Sequence, residues 1–269
     1  SLVGSEMCIR DSSHDKPIIA VINQLDSEKA SWEASLDSIR AASQVTPVVV
    51  QYPVNPGPDF NAFIDVLLMK MYKFKGDTGI REELDIPAEE MERATELNRI
   101  LTEAAAENDE ALMELYFEKG VLTQDELRSG LKLGLAKRDL IPVFCASGKR
   151  DIGAKRLMEF IINVAPGPLK APNFVTVDGR EIEPDSNGPT ALFVFKTTVE
   201  PHLGEVTYFR VISGKVTEGM ELVNSKTGNK EKISQLFAVA GKNRVKVTEM
   251  MAGDIGCTVK LKGTRTNQT

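Results

Sequence analysis

Two short apolar runs, each cut off by a polar segment, constrain the fold of this chain most. Pro17-Ile18-Ile19-Ala20-Val21-Ile22 stops abruptly at Asn23-Gln24-Leu25-Asp26, and Leu140 to Cys145 stops at Ala146-Ser147-Gly148. Runs this short, apolar and rich in β-branched residues read as buried strands of a parallel sheet covered by helices. Ser31 to Ala42 sets Trp32, Leu36 and Ile39 at helical spacing, and Pro47 to Tyr52 is a further apolar run, so the order is strand, helix, strand. A second helix is predicted over Gly153 to Val164, with Leu157, Phe160, Ile161 and Val164 turned inward. Polar residues at the carboxyl ends of such strands lie where open α/β sheets bind ligands.

Between the two runs the pattern is mostly helical. Phe60, Phe63, Ile64, Leu67, Leu68 and Met71 follow a 3.6-residue period and predict an amphipathic helix over Asp59 to Met71. Pro87 with Glu89 and Glu90 makes a good first turn for a helix running to about Ala106. A shorter helix is predicted around Glu110 to Glu118. Thr123-Gln124-Asp125-Glu126 fits a capping box opening a helix that runs through about Leu135. Pro166, Gly167, Pro168 and Pro172 then forbid both helix and ladder and mark a linker. Beyond it, Ala191 to Thr198, Gly204 to Ser213, Gly219 to Asn224, Lys230 to Ala238 and Ile255 to Lys262 are strand-like, with Lys226-Thr227-Gly228-Asn229 as a hairpin turn. Strands without intervening helices predict a small antiparallel β-barrel. Residues 1–15, opening SLVGSEMCIRDS, show no period and no secretory-signal pattern and read as a non-native tag.

Composition excludes several functions. No run nears the roughly 18–20 apolar residues of a membrane span. The cysteines Cys8, Cys145 and Cys257 are odd in number and lack C-x-x-C spacing, and the only histidines are His14 and His202, so neither a disulfide framework nor a zinc site is expected. Cys145 and Cys257 fall in apolar strands and read as inert core residues. The net charge of −6 is uneven: residues 1–149 carry −10 and residues 150–269 carry +4. The acidic part suits a basic protein partner, and the basic part suits RNA phosphates; two ordinarily solvated surfaces explain the same numbers.

The polar segments carry the chemistry. A carboxylate held at a strand end, such as Asp26, accepts two hydrogen bonds from N1 and the exocyclic amine of guanine, a pair that adenine does not offer. Asn23 would brace the neighbouring loop. The small residues Ala146, Ser147 and Gly148 let backbone amides approach a base oxygen. The plain alternative for Asn23 to Asp26 is an Asn/Asp turn that ends a strand and caps the next helix.

With these residues in place, the sequence resembles bacterial elongation factor G, from Lys16 to Thr269. Asn23, Gln24 and Asp26 resemble that family's N-K-x-D guanine motif, and Ala146, Ser147 and Gly148 its second base loop. Leu112 to Leu135, Leu140 to Phe144, Asp185-Ser186-Asn187-Gly188-Pro189, Arg210-Val211-Ile212-Ser213-Gly214 and Met251 to Gly256 are similar in order and spacing. The resemblance implies a partial P-loop GTPase-type α/β sheet over residues 16–165, with an inserted helical G′ subdomain at about 43–139. A linker at 166–189 and a domain II β-barrel at 190–269 would follow. It implies guanine binding by Asn23, Gln24, Asp26, Ser147 and Gly148, with no catalytic or metal-binding residue in this stretch. It also implies a monomeric cytoplasmic GTP-dependent translocation factor acting on the ribosome, with GTP or GDP and Mg bound by the longer protein and none held tightly by this stretch.

Two departures matter. The family lysine is Gln24 here, and no G-x-x-x-x-G-K-[ST] phosphate loop occurs in the sequence. Ribosomal partners implied by the resemblance are a basic stalk protein meeting the G′ acids Glu82, Glu83, Asp85, Glu89, Glu90 and Glu92, and ribosomal RNA meeting Lys226, Lys230, Lys232, Lys242, Arg244 and Lys246. Solvated surfaces remain the plain alternative for both, and a solvated or barrel-rim role is the plain one for His202. Competing functions are a nucleotide-independent ribosome-binding factor, favoured by Gln24, and a ribosomal protection protein relative, disfavoured by the long acidic insertion.

Overall fold

The computed structural model describes residues 16–201, 204–241 and 243–269; the expectations for residues 1–15, His202 and Lys242 lie outside them. The chain divides between Pro166 and Gly167 into two compact units, both part of a mixed α/β architecture.

In the first unit, β1 (Ala20–Ile22) leads through α1 (Trp32–Ala42) to β2 (Pro47–Val49). Ser31 caps α1 by accepting from the Ala34 amide, and Trp32 and Leu36 are buried. An antiparallel meander follows, β3 (Gln51–Pro53), β4 (Ala62–Asp65), β5 (Lys70–Phe74) and β6 (Arg81–Leu84), then α2 (Ala88–Ala106), α3 (Glu110–Lys119) and α4 (Gln124–Lys137). The predicted capping box of Thr123 and Glu126 is formed. β7 (Ile141–Cys145) and α5 (Ala154–Val164) complete the unit. β7 lies between β1 and β2 and runs parallel to both, with Ile22 opposite Cys145 and Val49 opposite Val143. All five β7 residues are buried, as a continuous apolar strand covered on both faces must be. One apolar core, from Ile22 to Val164, spans the parallel sheet and the inserted elements together.

Two sequence expectations fail here. Asp59 to Met71 is not a helix: it holds β4, a turn and the start of β5, with Met69 left-handed at φ 52°. All four β4 residues are buried, which erases the two-residue alternation of a strand, and the remaining apolar spacing imitates a helix. In α5, Ile161 faces outward (37% exposed) and the inward position belongs to Arg156, at 9%. Arg156 forms a fork on Asp65, which is fully buried: Nη2 and Nε donate to its Oδ2 at 2.9 and 3.2 Å.

The second unit begins with the ribbon β8 (Phe174–Val175) and β9 (Glu181–Ile182), then β10 (Ala191–Glu200) and β11 (Gly204–Ser213). After them come β12 (Lys215–Thr217), β13 (Glu221–Val223), β14 (Lys230–Lys232), β15 (Leu236–Ala240), β16 (Asn243–Val247), β17 (Glu249–Met251) and β18 (Ile255–Val259). They form a five-stranded antiparallel sheet in the order β10-β11-β18-β15-β16, with β12-β17 and β13-β14 as separate antiparallel ribbons. The hairpin at 226–229 joins β13 to β14, with Gly228 at φ 72°. The predicted strand Lys230 to Ala238 is two strands, and Ile255 to Lys262 ends at Val259, because Lys260 turns left-handed at φ 64°. Val194, Phe209, Val211, Val216, Ile233, Leu236, Met250 and Leu261 make its core. Cys145 and Cys257 are free and buried, and burial raises both thiols, the condition of unreactive core cysteines. No helix among the described residues is long and apolar enough to cross a membrane.

Candidate functional site

Because β1 and β7 are neighbours in a parallel sheet, their carboxyl ends emerge side by side, and the segments 23–26 and 146–148 meet there. The Ala146 amide donates to the Ile22 carbonyl at 2.9 Å, and the Leu25 amide to the Ala146 carbonyl at 3.3 Å. Two side-chain links then join the loops. The Gly148 amide donates to Asn23 Oδ1 at 2.9 Å, and the Ser147 hydroxyl donates to Asp26 Oδ1 at 2.7 Å. Leu25 and Ser147 are buried, Asp26 is half-buried, and Asn23, Gln24 and Gly148 are exposed. All five candidate residues therefore cluster, with their exposed atoms on one rim.

The second loop is shaped by Gly153, the residue before α5. Its φ of 87° is costly for any other residue, and a methyl group there would lie 2.6 Å from the Cys145 carbonyl oxygen. Gln24 also holds a left-handed φ of 61°, which turns the chain out of β1, and its side chain makes no hydrogen bond among the described residues.

The Ser147 hydroxyl, with help from Lys149 and Arg150, holds the Asp26 carboxyl below the usual carboxylate range. A depressed carboxylate stays charged as pH falls through the ordinary aspartate range, and its contribution is lost only below its own pKa. Ser147→Ala is therefore expected to move the acid loss of any function that needs ionised Asp26 to higher pH. Titrating the Asp26 carboxyl carbon by NMR in both proteins checks this; coincident curves would remove Ser147 as the cause.

The Ser147 and Gly148 amides depart from the sequence expectation, since neither is free for a base oxygen: the first donates to the Ile152 carbonyl at 3.0 Å and the second to Asn23. The buried Ser147 amide must find a partner within the protein and takes the Ile152 carbonyl of its own loop. The next amide, of Lys149, carries no hydrogen bond among the described residues and is the donor that sequence reasoning missed. The other missed residue is Arg150, a cation within a loop of small residues; its partners lie 73 to 92 positions away in sequence.

Some of the charged residues expected to meet partners have partners within the chain. Lys230 pairs with Glu221 at 3.0 Å and Lys246 with Glu218 at 2.9 Å, while Arg244 binds Glu200 and the Tyr208 hydroxyl. Among the acids, Asp85 pairs with Lys70 at 2.8 Å and Glu82 with Lys75 at 3.4 Å, and Glu90 accepts from the Tyr52 hydroxyl at 3.1 Å.

Residues 189–269 match the family described as elongation factor G domain 2. A crystal structure of a protein from Thermus thermophilus is similar over 99% of this chain, with 27% sequence identity and a TM-score of 0.82. The chain spans only 38% of the length of that protein. Residues 189–269 therefore belong to the elongation factor G domain 2 family, and the fold of nearly the whole chain is similar to that of the Thermus protein.

Proposed function

We propose that the rim formed by Asn23, Gln24, Asp26, Ser147 and Gly148 recognises the guanine base of GTP and GDP. The longer protein to which the segment belongs would act as a GTP-dependent factor driving tRNA and mRNA translocation on the ribosome. The observation that carries the reading is the pair of cross-links, Ser147 to Asp26 and Gly148 to Asn23, which holds an ionised carboxylate beside a loop amide at the ends of two parallel strands. Ionised Asp26 would accept from guanine N1 and the exocyclic amine, and the Lys149 amide would donate to the base oxygen. Residues 16–165 then read as the end of a GTPase domain carrying a G′ insertion, and residues 190–269 as a domain II barrel docking on ribosomal RNA and protein. Phosphate and Mg chemistry has no counterpart in these residues, because the sequence contains no phosphate-loop pattern.

Guanosine tests the base site without phosphates. Titrating the isotopically labelled chain with guanosine should shift the Leu25, Gly148 and Lys149 amides, and adenosine should leave them in place. Equal responses, or none to guanosine, would overturn the reading. Gln24→Lys is expected to strengthen guanosine binding about two- to fivefold, the gain from an exposed cation over an aromatic face. An unchanged affinity would favour the second reading, a nucleotide-independent ribosome-docking factor, to which the neutral, unpartnered Gln24 points.

A further inference from the structure

The second base loop is tied to the inserted meander as well as to its neighbour. Arg150 Nη1 donates to the carbonyls of Pro58 and Phe60 at 3.1 and 3.0 Å, and its Nε donates to Asp77 Oδ1 at 2.7 Å. Pro58 and Phe60 lie between β3 and β4, and Asp77 lies between β5 and β6, so one guanidinium grips both loops at the same end of the meander. The first loop is anchored where it is gripped, because Phe60 is fully buried in the core. On the other side, the Arg150 amide donates to the Ser147 carbonyl and hydroxyl at 3.2 and 3.3 Å, and that hydroxyl is the donor to Asp26. A continuous path therefore runs from the meander core through Arg150 and Ser147 to the carboxylate.

Two further contacts repeat the connection. The Gly57 amide donates to the Leu25 carbonyl at 2.7 Å, which fastens the same meander loop to the first base loop. Gly79, at φ 67°, packs so closely that a methyl group would sit 2.2 Å from Asp151 Oδ2. A planar five-donor guanidinium suits such bridging, since it satisfies two carbonyls and a carboxylate in one plane, which an ammonium on a flexible stem does not. Asp77, Asp26 and Asp59 all reinforce its charge.

We propose that Arg150 is a positioning residue that fastens the base loops to the two loops of the inserted meander, so that any contact made at 57–60 or 75–80 alters affinity for the base. This rests on the guanine reading for its consequence, though the fastening itself is measurable without nucleoside. Arg150 does not touch the base; it acts through Ser147. Partner binding on the insertion and base binding on the sheet would then be coupled, each changing the other by the same factor.

The test uses the full chain, as Arg150→Met, Asp77→Ala and Lys149→Met variants. Backbone order parameters at 148–151 are expected to fall from about 0.85 to below about 0.6 in Arg150→Met, while those of the buried strands β1 and β7 stay in place. A smaller fall is expected in Asp77→Ala, where the two carbonyl bonds remain. Lys149→Met removes a neighbouring cation without the bridge and should leave the order parameters in place. Guanosine affinity should drop about five- to tenfold in Arg150→Met and be partly recovered by Arg150→Lys. Unchanged order parameters in Arg150→Met overturn the proposal, as does a fall matched by Lys149→Met. If the unmodified chain shows no guanosine shifts, the base reading fails and the order parameters still decide the fastening.

Discussion

Arg156→Met is expected to destabilise the first unit by about 3–5 kcal/mol, the cost of stranding a buried charge by removing its partner. Asp65 is fully buried and accepts from Arg156 Nε and Nη2, from Gln51 Nε2 at 3.0 Å and from the Leu68 amide at 3.0 Å. Without the guanidinium, one amide and one side-chain donor face a full negative charge in an apolar core. Arg156 also binds Glu159, which Arg81 holds at 3.1 Å, so the loss loosens the seat of α5 on the meander. Against a typical domain stability of about 5–15 kcal/mol, the effect is a large fraction of the whole. The double variant Asp65→Leu with Arg156→Met should recover most of it, because apolar replacement of both partners removes the stranded charge. Urea unfolding of the four proteins in the cycle measures this. A single-variant cost under about 1 kcal/mol, the range of exposed ion pairs, would show that water reaches the pair.

Asp26→Asn should exchange base preference. An ionised carboxylate offers two acceptors to the two donors of guanine. The asparagine amide offers one acceptor and a donor group, so guanosine loses one bond and meets a donor facing its amine, whereas xanthine presents the complementary donor and carbonyl. A hydrogen bond to a charged group contributes about 1.5–3 kcal/mol, and at the upper end the loss of one amounts to about a hundredfold in affinity. Guanosine binding should fall by about that factor and xanthosine should become the preferred nucleoside. Asparagine still accepts from the Ser147 hydroxyl, so the loop remains in place. Parallel titrations read the outcome; an unchanged order of the two nucleosides would exclude Asp26 as the base contact.

Much of this was legible in the residues. The strands β1 and β7, helix α1 and the Thr123 capping box all follow from local rules of burial and hydrogen bonding that act within a few residues. The β-only character after Pro172 followed from turn chemistry and alternation. The meander was misread because the buried strand β4 has no exposed face to mark its period, and its hydrophobic spacing fits a helix equally well. Gly148 was identified as a site residue, but the occupation of its amide by Asn23 was not, since that bond joins two loops 125 positions apart.

The amino-acid order by itself determined which segments are strands with polar carboxyl ends, where the proline-rich break falls, and which residue types stand ready to accept from a base. Only the tertiary structure decided which of those residues meet. Arg156 finds Asp65, and Arg150 finds Asp77, Pro58 and Phe60, across 73 to 92 positions of chain. Such pairings depend on how a shared core brings distant segments together, and the contacts of a charged side chain with distant partners leave no periodic trace in the sequence around it.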